Sequence, residues 1–278
     1  MSRPTHISTP RFPTRFIRTL LTCAALAMGV GLAACAQSPA PVAPTAPTIP
    51  PVAVVASTAT VDKALQSAMT PDSALERLQA GNQRFASGDT IVRDYPAQVK
   101  ATASGQYPFA AVLCCIDSRS SPELVFDQGI GDLFVARVAG NYTNPDITGS
   151  LEFATKVAGA KLIVVLGHTE CGAIKGACDN VELGNLTTVI QALRPAVDAV
   201  DYQGDRSSQN KKFVKLVTEA NVRRTVTKLR MDSPILRDLE QSGQIKIVGA
   251  ILDVSTGQVK FYDWENPSTQ TGELIESK

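Results

Sequence analysis

The sequence Cys-Ile-Asp-Ser-Arg at residues 115–119 follows an apolar run at residues 108–114. The sequence Gly-His-Thr-Glu-Cys-Gly at residues 167–172 follows a second apolar run, at residues 162–166. Short apolar runs of this kind predict strands that are buried on both faces of a sheet. In parallel sheets, ligands bind outside the carboxyl ends of the strands. We therefore expect the two stretches to lie together at one site.

Strand and helix patterns alternate along the chain, which predicts an α/β fold with a mostly parallel central sheet flanked by helices. Thr70 and Pro71 are residue types typical of a helix N-cap and first helical position, so they predict a helix start. The predicted strands cover residues 109–116, 133–138, 161–166, 244–252 and, as a late edge strand, 259–262. Further helices are predicted at residues 150–158, from residue 171, at 186–200 and at 211–230.

Cys115, His168 and Cys171 offer two thiols and an imidazole. These are the soft and borderline ligands that zinc prefers. Three protein ligands make an open tetrahedral site whose fourth position is left for water, which is the catalytic arrangement. A structural zinc site, the alternative, is usually closed by four ligands. The pattern therefore favours a catalytic zinc ion.

The paired motifs, Cys-x-Asp-x-Arg at residues 115–119 and His-x-x-Cys at residues 168–171, resemble those of the β-class carbonic anhydrases. The similarity covers residues 74–262 and implies the fold of that family. The flanking positions that also resemble the family are residues 120–123, 131–135, Arg137, residues 139–141, 151–154, 172–173 and 249–254, and Gly257.

The resemblance assigns roles to the residues of the paired motifs. It implies that Cys115, His168 and Cys171 bind one zinc ion per subunit. It also implies that Asp117 and Arg119 form the catalytic dyad.

Three further residues match substrate-side positions of the family: Gln106, Phe134 and Gly172, the last through its backbone N–H. Two departures are visible, because Phe153 stands where several members carry Tyr and Ala139 where some carry Val. Neither departure touches the metal ligands. They therefore bear on substrate range more than on the reaction.

The implied reaction is the reversible hydration of CO2 to bicarbonate and a proton. Zinc lowers the pKa of a bound water from 15.7 to about 7, so that hydroxide is available to attack the carbon of CO2. A carboxylate held by a guanidinium, as in the Asp117–Arg119 dyad, can orient that water. If the dyad broke, Asp117 could become a fourth zinc ligand and close the site in an inactive state.

Two other functions stay open from the sequence. One is a hydrolase of COS or CS2 on the same fold, and the other is a non-catalytic zinc-binding lipoprotein with a permanently closed site. The family's building block is a dimer with active sites at its interface. The resemblance therefore implies a homodimer or a dimer of dimers, in which Gln106 and Phe134 serve the neighbouring subunit's site.

Residues 1–35 have the features of an export signal, because four arginines precede an uncharged stretch at residues 19–34. Its end, Leu-Ala-Ala-Cys at residues 32–35, resembles the lipobox of bacterial lipoproteins and implies lipidation of Cys35. Ordinary signal cleavage is the alternative. Residues 36–60 are rich in Ala, Pro and Thr and predict an extended linker, which leaves residues 61–278 as the catalytic domain.

These features predict a location in the periplasm or cell envelope, with membrane contact only through the lipid on Cys35. The formal net charge of +1 and the absence of a basic run give no indication of nucleic-acid binding. Cys114 alternates with Cys115 along a predicted strand, so we expect its thiol to face the other side of the sheet. Cys178 is predicted to be a packed thiol and not a metal ligand.

Overall fold

The computed structural model describes residues 55–263 and 273–274 of the 278-residue chain. The predicted export signal, its lipidation residue Cys35 and most of the predicted linker lie outside the described residues. In the described part of the chain, no helix is both long enough and apolar enough to cross a membrane.

The core of the described chain is a six-stranded sheet with the strand order β2-β1-β3-β4-β5-β6. The first four strands in that order are parallel, and β5 and β6 are added antiparallel at one edge. The predicted α/β fold with a mostly parallel sheet is confirmed. The strands are β1 (Ala110–Cys114), β2 (Leu133–Arg137), β3 (Leu162–His168), β4 (Lys246–Leu252), β5 (Val259–Asp263) and β6 (Glu273–Leu274).

The two central strands, β1 and β3, are buried along their whole length. Continuous apolar strands are expected here, because helices cover both faces of a parallel sheet. Cys114 pairs with Leu166 in the register of the two strands, so both chains leave the sheet at the same edge. β3 continues two residues beyond the predicted end, because Gly167 and His168 pair with β4.

Helices pack on both faces of the sheet and fill the space beside its carboxyl edge. The described helices are α1 (Lys63–Ala68), α2 (Pro71–Ser87), α3 (Tyr95–Thr102), α4 (Pro122–Val125), α5 (Pro145–Glu152), α6 (Gly172–Cys178), α7 (Leu186–Asp198), α8 (Lys211–Asp232) and α9 (Pro234–Gln241). One apolar layer joins α2 and α4 to the sheet, and a second joins α5, α8 and α9 to the opposite face. A third cluster joins α6, α7 and α8 and includes Cys115 and Cys171.

Local capping explains where several helices begin. Thr70 caps α2 through a reciprocal pair of bonds with Ser73, as its sequence predicts. The predicted helix at residues 150–158 is corrected in two ways. It begins earlier, at Pro145, where the Asn144 side chain accepts the Ile147 N–H, and it ends in a π-helical turn, Phe153–Val157.

Hydrogen bonds attach Ser57 and Ala59, which the sequence places at the end of the linker, to residues 92–98. Ser57 donates its N–H to Val92 O at 2.7 Å and accepts the Asp94 N–H at 2.9 Å. The Gln98 side chain donates to Ala59 O at 2.8 Å. Composition could not show these backbone bonds, which attach the chain to the domain before Val61.

The buried carboxylate of Asp127, which precedes β2, binds groups from two other segments of the chain. The side chain of Asp127 is 1% exposed and pairs with Arg84 and Arg93. Its carboxylate also accepts the Ile91 N–H at 3.3 Å. Burial alone would raise the pKa of Asp127, but the hydrogen bonds from Arg93 and Arg84 outweigh it and lower the pKa. The stability from this ionised group is therefore present above the unfolded pKa and is lost as the pH falls through the lower folded pKa.

We expect Asp127→Asn to lower the free energy of unfolding by about 3 kcal/mol, because it leaves the buried Arg93 guanidinium without its counter-charge. Denaturant unfolding at neutral pH measures this loss. The matched control is Asp232→Asn, which removes an exposed pair with Lys228 and should change stability by less than about 1 kcal/mol. Equal effects of the two substitutions would contradict this account of Asp127.

Candidate metal centre

Three predicted ligands meet at the carboxyl edge of the sheet. Cys115 follows the last residue of β1, His168 is the last residue of β3, and Cys171 is the N-cap of α6. All three are buried, and their ligand atoms lie within 4.8 Å of one another. The structure therefore assembles the predicted Cys-His-Cys set from two neighbouring strands and the helix that follows the second.

The imidazole of His168 is oriented by a backbone carbonyl. Its Nδ1 lies 2.8 Å from Thr169 O, so this nitrogen carries the hydrogen and donates it. The other nitrogen, Nε2, is buried and has no hydrogen-bond partner among the described residues. A buried polar atom without a partner is costly unless a bound group satisfies it. Together with two thiols, a histidine oriented in this way fits zinc.

The surroundings of Cys115 favour its thiolate form. The neighbouring Cys171 thiol lowers the pKa of Cys115 well below its ordinary value. His168 and the Gly140 N–H, which lies 3.3 Å from the sulfur, act in the same direction. A thiolate is the form of cysteine that binds metals.

Gly140 brings its N–H to the sulfur of Cys115 in a conformation that would strain any residue with a Cβ. Its φ is +79°, and an added Cβ would lie 2.6 Å from Leu193 Cδ1. The Asn221 side chain, on α8, donates to Gly140 O at 2.8 Å and holds this turn in place. Sequence reasoning missed Asn221, because the contact joins residues 81 positions apart.

Asp117 and Arg119 form a two-pronged ion pair beside the metal ligands. Arg119 Nε donates to Asp117 Oδ1 at 3.0 Å, and Arg119 Nη2 donates to Oδ2 at 2.9 Å. These bonds hold the pKa of the Asp117 carboxyl well below its usual range. Asp117 Oδ2 lies 3.9 Å from His168 Nε2. The carboxylate is therefore ionised, fixed in orientation and next to the atom that faces the metal position.

A second arginine holds the backbone of the same turn. Arg137 ends β2, donates from Nε to Cys115 O at 2.9 Å and donates from Nη2 to Asp117 O at 2.7 Å. Sequence reasoning assigned no role to this side chain. Arg137 lies among the residues that resemble the family, but its contacts depend on its position opposite Cys114 in the parallel register, which requires the fold.

Two predicted substrate-side residues do not reach the metal ligands within one chain. Gln106 is exposed in the loop before β1, at the amino edge of the sheet and not at the carboxyl edge. Phe134 is the second residue of β2, and its ring packs edge-on against Phe153 at 6.1 Å between centroids. Phe134 and Phe153 line a cavity of about 360 Å³ away from the metal ligands. Any contact of Gln106 or Phe134 with a metal site would require a neighbouring subunit.

Gly172 and the two remaining described cysteines lie as the sequence suggested. Gly172 begins α6, is exposed and has open space beside its Cα. Cys114 is buried within the apolar layer under α2, where burial raises the pKa of its thiol to about 12. Cys178 is half-buried against the cluster of α6, α7 and α8 and is not one of the three grouped ligands.

Comparison with known proteins identifies relatives of the whole domain. A family model described as Carbonic anhydrase matches residues 110–259. Carbonic anhydrase 2 of Mycobacterium tuberculosis is 33% identical over 202 residues, which cover 69% of this chain and 93% of that protein. The matched residues 110–259 contain the three grouped ligands, Asp117 and Arg119.

Solved structures show the same architecture. One of two tetrameric β-carbonic anhydrases of the filamentous ascomycete Sordaria macrospora superposes with a TM-score of 0.53 at 25% identity, covering 64% of this chain and 88% of that one. The β-carbonic anhydrase CafA of Aspergillus fumigatus superposes with a TM-score of 0.54 at 25% identity, covering 68% of this chain and 90% of that one.

Proposed function

The chain belongs to the β class of the carbonic anhydrase family, and we propose that Asp117 and Arg119 orient the attacking water in its reaction. The enzyme hydrates CO2 reversibly to bicarbonate and a proton and uses zinc (EC 4.2.1.1). One observation carries this function. The buried, unpartnered Nε2 of His168 faces two cysteine thiols, with all ligand atoms within 4.8 Å.

Cys115, His168 and Cys171 would hold the zinc ion, because their ligand atoms are grouped together. When bound there, zinc acts as a Lewis acid that makes water nucleophilic near neutral pH. Asp117 accepts a hydrogen bond from the attacking water and so directs a lone pair of its oxygen at the carbon of CO2. The water oxygen forms the new C–O bond as one C=O π bond of CO2 breaks, and the proton lost from the water passes to solvent or buffer, which leaves bicarbonate. The exposed α6 N-terminus at Gly172 offers a backbone N–H to a substrate oxygen.

Arg119 has two tasks in this proposal. Its paired bonds keep the Asp117 carboxylate ionised, and they fix the direction in which Oδ2 points. They also hold the carboxylate toward the guanidinium, which keeps Asp117 off the metal, while each oxygen retains a lone pair that can accept a hydrogen bond from water. The closed inactive state with Asp117 as a ligand stays a prediction. A rate that does not change from alkaline to mildly acidic pH would contradict it.

The two alternative functions are not favoured. A closed, non-catalytic zinc site needs no ordered carboxylate–arginine pair beside the metal ligands, but such a pair is present. The relatives of the chain are named carbonic anhydrases.

Chelation tests the dependence on zinc directly. We expect a strong chelator to abolish CO2 hydration, and added Zn²⁺ to restore it in proportion to the metal regained. Stopped-flow assay and metal analysis on the same samples measure both quantities. Full activity in protein shown to be free of metal would refute the zinc mechanism.

We propose that the enzyme is a homo-oligomer, a homodimer or a dimer of dimers, with sites completed between subunits. Tetrameric assembly of the Sordaria relatives supports an oligomer. The edge strand β2 leaves Phe134 half-buried beside Phe153, which is 53% exposed, so this chain has an apolar surface that a second copy would cover. Gln106 is exposed and free to extend toward a neighbour.

A mixing experiment tests whether Gln106 serves the neighbouring site. We expect Gln106→Ala and Asp117→Asn to be impaired alone, but co-expression to give hybrid dimers more active than the average of the two. In such a hybrid, one site receives an intact Asp117 from its own chain and an intact Gln106 from the other. Activity equal to the simple average would mean that Gln106 does not act across an interface.

We also propose that the enzyme is exported and held in the periplasm or cell envelope by a lipid on Cys35. The support is the basic start, the uncharged stretch and the lipobox-like end of residues 1–35, followed by the Ala/Pro/Thr-rich linker. Mass spectrometry of the mature N-terminus, with Cys35→Ala for comparison, measures this. An unmodified mature chain in the soluble fraction would contradict the lipid anchor.

A further inference from the structure

Arg137 joins two strands at the point where the metal site begins. It is the last residue of the edge strand β2 and pairs in register with Cys114 of β1. From there its guanidinium reaches Cys115 O at 2.9 Å with Nε and Asp117 O at 2.7 Å with Nη2. One side chain therefore holds the backbone of a metal ligand, Cys115, and the backbone of the water-orienting residue, Asp117.

The turn at residues 115–120 needs such a support. The regular pairing of β1 ends at Cys114, whose carbonyl accepts the Val138 N–H at 3.1 Å. Beyond it, Asp117 O is also bound by Ser120, through its N–H at 3.1 Å and its Oγ at 2.9 Å. These bonds lie within the turn itself. Arg137 is what connects the turn to the neighbouring strand through these two carbonyls.

Arg137 and Arg119 act on different parts of the same turn. Arg119 holds the carboxylate of Asp117, which sets the direction of that side chain. Arg137 holds two carbonyls that are two residues apart, which sets the distance between the Cys115 and Asp117 backbones. The planar, forked guanidinium suits two acceptors at once, whereas a lysine ammonium has no such fixed fork.

We propose that Arg137 is a positioning residue for CO2 hydration, which holds Asp117 at its working distance from the metal centre by bridging the carbonyls of Cys115 and Asp117. The proposal rests on the function assigned above and extends it to a residue outside the dyad. Replacement of a residue that orients a metal ligand without binding the metal typically lowers activity or metal affinity by about 10- to 100-fold.

The test compares Arg137→Ala and Arg137→Lys with Arg194→Ala in the full-length, zinc-loaded enzyme. Arg194 is a matched control, because it also donates to a backbone carbonyl, Ala177 O at 3.2 Å, and pairs with Asp198 far from the metal turn. We expect kcat and kcat/KM of both Arg137 variants to fall together by about 10- to 100-fold with zinc retained. Arg194→Ala should keep the activity of the unmodified enzyme.

Two readouts separate positioning from a general loss of stability. Amide hydrogen exchange of residues 115–120, in protein without metal as well as with it, should become faster in both Arg137 variants and not in the control. Added guanidinium ion should restore part of the activity of Arg137→Ala and none of the activity of Arg119→Lys. If Arg137→Ala does not fold, the kinetic measurement and the hydrogen-exchange measurement are made on Arg137→Lys alone, without the guanidinium rescue.

Unchanged kcat at full zinc content in a folded Arg137 variant would overturn the proposal, and so would unchanged exchange at residues 115–120. Full activity of Arg137→Lys would also overturn it, because a single ammonium group would then be enough to hold the turn without the forked guanidinium. If the unmodified enzyme itself fails to hydrate CO2, the assigned function fails. The exchange measurement on the turn still decides the role of Arg137 in that case.

Discussion

Replacement of His168 by alanine should remove zinc and CO2 hydration together. Nε2 is one of the three grouped donor atoms and has no hydrogen-bond partner among the described residues, so its loss leaves only two thiols of the set. Replacement of a residue that only orients a metal ligand typically lowers activity or metal affinity by about 10- to 100-fold. We therefore expect removal of a direct ligand to lower CO2 hydration by more than about 100-fold. Metal analysis and stopped-flow assay on one preparation measure both effects.

Cys114→Ala is the matched control for this prediction. Cys114 is adjacent to Cys115 in sequence, but its thiol lies in the apolar layer on the other side of the strand. We therefore expect the variant to keep its zinc and its activity. If His168→Ala kept both zinc and activity, or if Cys114→Ala lost zinc in folded protein, the assignment of the metal ligands would be wrong.

Replacement of Asp117 by asparagine should separate catalysis from metal binding. The amide has nearly the shape of the carboxylate but no charge, so it loses the ion pair with Arg119 and accepts a hydrogen bond from water only weakly. We expect zinc to stay bound and kcat to fall by about 10²- to 10⁴-fold, the range for loss of a positioned proton-accepting group. Stopped-flow kinetics at matched zinc content measure the loss.

Asp198→Asn is the control for Asp117→Asn. Asp198 also pairs with an arginine, Arg194, but the pair lies on the surface of α7. We expect its loss to leave kcat unchanged. An Asp117→Asn enzyme with full zinc and nearly full activity would show that Asp117 is only a structural partner of Arg119.

The sequence was sufficient for the parts of the fold that depend on local patterns. β1 and β3 were predictable, because strands buried on both faces must be apolar throughout. The start of α2 was predictable from Thr70 and Pro71, since capping is a matter of neighbouring residues. The site could be placed because parallel strands bring their carboxyl ends to one edge.

The parts that the sequence did not reveal depend on contacts between distant residues. The short helices α1, α3 and α9 have too few turns for a clear periodic pattern, although Asp62, Asp94 and Ser233 cap their starts. The bridge from Ser57 to Arg93 and the bond from Asn221 to Gly140 form only after the chain has folded. The roles of Gln106 and Phe134 need a second subunit, so they stay predictions.

The most direct test of the account is stopped-flow CO2 hydration by the purified, unmutated protein at a measured zinc content. The account predicts rapid hydration with one zinc ion per chain, and a rate that falls in proportion as zinc is removed. Protein that carries a full complement of zinc but does not hydrate CO2 at neutral or alkaline pH would contradict it.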